Sequence, residues 1–257
     1  MRRVLTAAAL IPIVAWVVLW ANYWIFMAVL VTVSFLCYRE YNDIAGRFGF
    51  GEPGLIGYVA GLAALLWQDE TVLWLLFVLV AITGFALAMR ARDLAHSLPR
   101  GALLIAGVVY VFGCWRCAIP LREANPHWLM YALVLNWCGD IGAYYVGRRF
   151  GRRKLAPRVS PNKSWEGAVA SVVTSVLLAG TYLVYFAGVP VWVAVVLTAV
   201  ANAAGQAGDL AESAMKRGAG VKDSGTILPG HGGFLDRVDS TLFALPVIYA
   251  AAVLLRL

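Results

Sequence analysis

Nine apolar runs, each close to the roughly 20 residues that carry a helix across a hydrocarbon core, limit what this chain can fold into. They lie near 4–21, 23–38, 55–68, 71–89, 102–120, 128–147, 167–187, 190–212 and 241–256. In lipid, backbone N–H and C=O groups must be satisfied within the segment, so such runs fold as helices. The third and last runs are short, and about nine spans are expected. Composition excludes the soluble alternative: 61% of the 257 residues are hydrophobic and only 14% charged, too few to clothe a water-facing surface. The fold class is therefore all-α, a polytopic integral membrane protein. The connections are too short to fold alone and no internal repeat is evident. One membrane-embedded domain over 1–257 is expected, with N-terminal spans in 1–127 and the chemistry-bearing helices and loops in 128–257.

Lys and Arg fall on alternate connections: Arg2 and Arg3, Arg39 and Arg47, Arg90 to Arg100, Arg148 to Lys163, and Lys216 to Arg237. The links between are nearly free of both, so the positive-inside bias places the N-terminus and every basic loop in the cytoplasm. With nine spans the C-terminus lies outside. Arg116 and Arg122 run against this bias. Met1-Arg2-Arg3 and the following apolar run resemble a leader peptide, but the run continues past Ala7-Ala8-Ala9 far enough to span and is read as a retained helix. Trp16, Trp20, Trp24, Trp67, Trp74, Trp128 and Trp192 fall mostly at run ends, as interfacial anchors do.

Several signals carry no function. Cys114 and Cys117 have CxxC spacing, yet lack a second pair or neighbouring histidines; with Cys37 and Cys138 they read as small apolar residues. His96 and His127 have no partner at ligand spacing. The net charge of +7 shows no basic stripe interleaved with aromatics, so nucleic acid is excluded as a partner. The charge speaks instead to anionic lipid and anionic substrates.

Polar chemistry concentrates between Asp209 and Asp239. Asn202, Gln206, Asp209, Glu212, Ser213 and Lys216 recur every three or four residues and mark one helix face. Gly218 and Gly220 end that helix, and the run Pro229 to Asp239 supplies a glycine-rich turn whose backbone can approach a ligand closely. Lys216, Arg217, Lys222 and Arg237 offer positive charge to phosphates, while Asp209, Asp236 and Asp239 offer hard oxygens to a divalent cation. Phosphate and metal are the implied chemistry.

Two further stretches join it. In the sixth run Asn136, Asp140 and Tyr144 are four apart and share a face, read as directed at a protein interior because an intramembrane acid avoids lipid. In the basic connection, Ser160-Pro161 marks a turn before a helix beginning near Ser164, with Ser164 as a capping hydroxyl and Glu166 in the first turn. A helix start of this kind can also bind phosphate.

The order Ser213, Met215, Lys216-Arg217, Lys222-Asp223, Gly225, Pro229, His231-Gly232-Gly233, Asp236-Arg237, Asp239 closely resembles the signature of the phosphatidate cytidylyltransferases, or CDP-diacylglycerol synthases. The element Ser160-Pro161, Lys163, Glu166-Gly167 is similar to a second motif of that family, with Asn162 and Ser164 where members often carry Lys and Thr. The helix with Asp140, Gly142, Ala143, Tyr144 and Gly147-Arg148 is similar to a third.

The resemblance implies transfer of a cytidylyl group from CTP to phosphatidic acid, giving CDP-diacylglycerol and pyrophosphate, at the cytoplasmic face of the inner membrane. It implies Mg²⁺ on Asp209 and Asp236, with a second cation allowed and a single ion able to join the two acids. Lys222, Asp223, His231 and Arg237 complete the catalytic set, His231 as a donor to phosphate. Asp140, Ser160, Lys163, Glu166, Ser213, Lys216, Arg217, Gly232 and Gly233 are the substrate-binding candidates. Two alternatives stand beside this reading: a CTP-dependent enzyme acting on another lipid phosphate or a polyprenol, and a transporter of an anionic solute. The latter calls for internal repeats and midplane charges. A homodimer is left open.

Overall fold

A computed structural model describes residues 2–90, 93–227 and 232–256, with side chains from Leu10 onward. The chain is a succession of helices: α1 (Arg2–Leu19), α2 (Tyr23–Gly46), α3 (Gly54–Leu66), α4 (Glu70–Ala88), α5 (Leu94–Ala124), α6 (Pro126–Phe150), α7 (Trp165–Ala187), α8 (Val191–Gly218) and α9 (Leu235–Leu254). Among the described residues, six of them are long and apolar enough to cross a membrane: α2, α4, α5, α7, α8 and α9. This is fewer than the nine expected. The run at 55–68 forms a helix of only 13 residues, about 20 Å at 1.5 Å per residue, short of a hydrocarbon core of roughly 30 Å. The α6 helix has the length but carries Asn136, Asp140, Arg148 and Arg149.

Trp20, Trp24, Trp74 and Trp192 are 67 to 78% exposed, a display of large apolar side chains that fits lipid contact rather than water. Trp128 departs from the anchor reading: it is buried at 3% exposure, edge-on to Tyr131.

The described residues divide into two compact units. The first comprises 1–22, 117–214 and 238–257. Its helices are joined by buried polar contacts, which in an apolar surround replace the missing hydrophobic drive between helices. Asn202 on α8 donates to Ser171 (3.1 Å) and Ser175 (2.9 Å) on α7. Gln206 donates to Asn202 (2.6 Å) and to the Ala168 carbonyl (3.1 Å), and Asn136 on α6 donates to Thr241 on α9 (3.1 Å). Arg122, anomalous by the charge bias, donates to the carbonyls of Val18 (2.9 Å) and Ala21 at the C-terminal end of α1. There it satisfies end carbonyls and meets the negative pole of the helix.

Between α6 and α7 the chain forms an antiparallel hairpin, β1 (Lys154–Ala156) and β2 (Ser160–Ser164), with Lys154 opposite Ser164 and Ala156 opposite Ser160. Ser160-Pro161 thus opens a strand and not the expected turn. Ser164 caps α7 as read from sequence, accepting from the Gly167 N–H at 3.2 Å.

The second unit comprises 23–116 and 215–237. Tyr38, Phe112 and Leu65 are buried at its centre. Tyr41 donates from its hydroxyl to the Leu103 carbonyl at 2.9 Å, fastening α2 to α5.

Candidate active site

Within the first unit the functional candidates gather on β2 and α8. The polar stripe predicted on α8 passes from buried Asn202, through half-buried Gln206, to Asp209, whose side chain is 30% exposed. Lys163, brought in by the hairpin, pairs with Asp209 through Oδ2. Ser213 sits one turn on, its hydroxyl 3.4 Å from Asp209 Oδ1. The structure therefore joins Lys163, Asp209 and Ser213 into one partly open cluster. Sequence separation hid the first of these contacts, since lysine and acid stand 46 positions apart.

Other candidates of this unit are placed differently. Glu166 folds back on the hairpin, accepting from the backbone N–H of Arg152 (3.1 Å) and Arg153 (3.2 Å). It fixes the connection that presents Lys163. Ser160 lies at the start of β2, half-buried. Asp140 and Tyr144 are exposed, so the face they share with buried Asn136 is not the interior one expected throughout. Tyr144 accepts from Arg148 at 2.9 Å.

In the second unit the loop after α8 closes on itself. Asp236, in the first turn of α9, pairs with Lys216 through Oδ1, with side-chain exposures of 5% and 10%. Its Oδ2 accepts from the N–H of Ser224 (2.9 Å) and of Gly233 (2.8 Å). Sequence had read Lys216 as facing a phosphate; here it faces a carboxylate. Arg217 is exposed and donates to the Val221 carbonyl at 3.2 Å. Lys222, Asp223 and Arg237 are exposed, and Gly232 adopts φ +79, the left-handed turn that favours glycine. His231 lies outside the described residues.

A cavity of about 660 Å³ in this unit is lined by Arg39, Glu40, Asp43, Arg47, Lys222 and Asp223, among others. Two of its residues escaped sequence reasoning. Glu40 on α2 is 1% exposed and accepts from the Ser224 hydroxyl (2.7 Å) and the N–H groups of Phe234 (3.0 Å) and Leu235 (2.8 Å). Ser224, buried, links Glu40 to the Asp236 N–H at 3.3 Å. The available signal was an acid at the polar end of a largely apolar helix, beside Arg39, Asn42 and Asp43.

Among the described residues no three or more His, Cys, Asp or Glu side chains gather into a metal-holding group; the carboxylate oxygens of Asp209 and Asp236 are each, separately, of the hard kind a divalent cation takes. Asp209 offers a partly exposed carboxylate, and Asp236 has one oxygen oriented by two backbone N–H groups while the other faces a cationic lysine. Outer hydrogen bonds of this sort orient metal-binding carboxylates. A lysine ammonium lies against one carboxylate oxygen of each acid.

The family model described as the Cytidylyltransferase family matches residues 1–255. The chain is 31% identical over 259 residues to a phosphatidate cytidylyltransferase of Staphylococcus saprophyticus, covering 96% of this chain and 97% of that protein. It is 37% identical over 203 residues to a phosphatidate cytidylyltransferase of Staphylococcus aureus (76% and 77%) and 43% identical over 145 residues to one of Bacillus subtilis (55% and 54%).

Proposed function

The chain belongs to the cytidylyltransferase family, and we propose that Lys163, Asp209 and the residues around Asp236 handle the phosphates of its two substrates. The reaction is CTP-dependent synthesis of CDP-diacylglycerol: a phosphate oxygen of phosphatidic acid bonds to the α-phosphorus of CTP as the bond to the β-phosphate breaks, and pyrophosphate leaves. Family membership along nearly the whole chain carries this conclusion.

The nucleophile is already anionic, so no strong general base is needed. Positioning and charge neutralisation are what the protein supplies. Lys163 presents its ammonium beside Asp209 on a hairpin braced by Glu166, suited to a phosphate oxygen once the pair opens. Lys222, Arg217 and Arg237, exposed on the loop and its flanks, hold the phosphates of CTP, with His231 as a further donor. Asp209 and Asp236 would each offer a carboxylate oxygen to Mg²⁺. Such an ion would supply neutralisation of phosphate charge as pyrophosphate leaves. Purified protein given labelled CTP, Mg²⁺ and a panel of phosphatidic acid, other lipid phosphates and polyprenyl phosphate should yield a CDP-lipid from phosphatidic acid. Product from polyprenyl phosphate alone would replace that substrate, and no nucleotidyl product at all would overturn the reading.

The alternation of Lys and Arg further supports a multi-pass membrane enzyme with the N-terminus and basic loops cytoplasmic and the C-terminus outside. Cysteines introduced at positions 152 and 222 should then resist an impermeant reagent added to intact cells and react in inverted vesicles. Reaction of both from outside would reverse the orientation.

A further inference from the structure

We infer that Glu40 is a positioning residue for cytidylyl transfer, holding together the two ends of the loop that carries Lys222 and Asp223. The inference rests on the role assigned to that loop above. Glu40 belongs to a helix apolar enough to span a membrane, where an ionisable side chain is costly unless its partners are in place. Three donors meet it: the Ser224 hydroxyl from the start of the loop, and the Phe234 and Leu235 N–H groups from its end. A carboxylate, which accepts only, matches three converging donors; an amide does not.

The fit is close on both sides. A Cβ at Gly225 would stand 2.6 Å from Glu40 Oε1. One at Gly233 would overlap both Glu40 Oε2 and the Ser224 hydroxyl. Gly225 and Gly233, the latter in the run that in sequence suggested close approach to a ligand, are where the loop approaches Glu40. Ser224 then relays the contact, donating to Glu40 and accepting from the Asp236 N–H. Glu40 also lies in the wall of the cavity lined by Lys222 and Asp223. It sets where those side chains stand without being assigned a substrate contact of its own.

The test uses full-length wild type, Glu40→Gln, Ser224→Ala and the double variant in mixed micelles, with rates expressed per folded protein. Glu40→Gln should lower kcat/KM for CTP by about tenfold or more, as loss of a supporting hydrogen-bond partner does, leaving KM for phosphatidic acid within about twofold. Ser224→Ala should move the same parameter less, and the double variant should be no worse than Glu40→Gln, because the two act as one contact. Amide exchange at Ser224–Ile227 and Gly232–Leu235 should quicken in Glu40→Gln. Unchanged exchange, or an effect spread equally over both substrates, would overturn the inference. A wild type that makes no CDP-lipid, with exchange still responding to Glu40→Gln, would remove the assigned reaction and leave the loop clamp standing.

Discussion

Asp209→Asn is expected to reduce cytidylyl transfer by about 100-fold or more, since losing even the groups that orient a metal ligand costs roughly 10–100-fold. Asp209 is the carboxylate of its cluster that remains partly open, with Lys163 on one oxygen and the Ser213 hydroxyl near the other. Asparagine keeps the shape and one acceptor but removes the charge that both a divalent cation and Lys163 need. The effect should fall on kcat and on the Mg²⁺ concentration for half-maximal rate, with little change in folding, because the site is not deeply buried. Asp93→Asn is the control. Asp93 accepts from the Ala95 N–H at 2.9 Å as a helix cap, and Asn caps as well as Asp. Transfer measured against Mg²⁺ concentration for the three proteins decides the matter. Lost activity at an unchanged Mg²⁺ requirement would assign Asp209 to orienting Lys163 instead, and near-wild-type activity would remove it from the site.

Asp236→Asn should damage both stability and activity. Its carboxylate is 5% exposed and takes a lysine ammonium and two backbone N–H groups. An amide has one acceptor oxygen, so its NH₂ must point either at Lys216 or at the N–H groups of Ser224 and Gly233. Removing one partner of a buried ion pair costs roughly 3–5 kcal/mol, and here the loss also loosens the loop that holds Lys222. Thermal unfolding in detergent should show a clearly lowered midpoint, with transfer close to background at temperatures where the variant is still folded. A variant with wild-type melting and wild-type turnover would show that neither the ion pair nor a metal at Asp236 matters.

The chain's own order of residues determined its class. Apolar runs of span length leave no alternative to helices in lipid, and this reading needs only local information. Local physics likewise made the Ser164 cap legible, and the resemblance of the 213–239 segment to the cytidylyltransferase signature was readable because its glycines, acids and cations lie close together in the chain. Sequence could not say which oxygen meets which donor. Glu40 reaches Ser224, Phe234 and Leu235 across 184 to 195 residues of chain, and no periodicity encodes a contact at that distance. The four-residue spacing of Asn136, Asp140 and Tyr144 gave a shared face, but what covers a face depends on the neighbouring helices, and they cover only its Asn136 end. Lys216 read as a phosphate ligand because a cation beside a glycine turn is suited to one; the tertiary structure set Asp236 against it first. Charge, polarity and helical phase are properties of the residues in order, whereas pairing and burial belong to the packed chain.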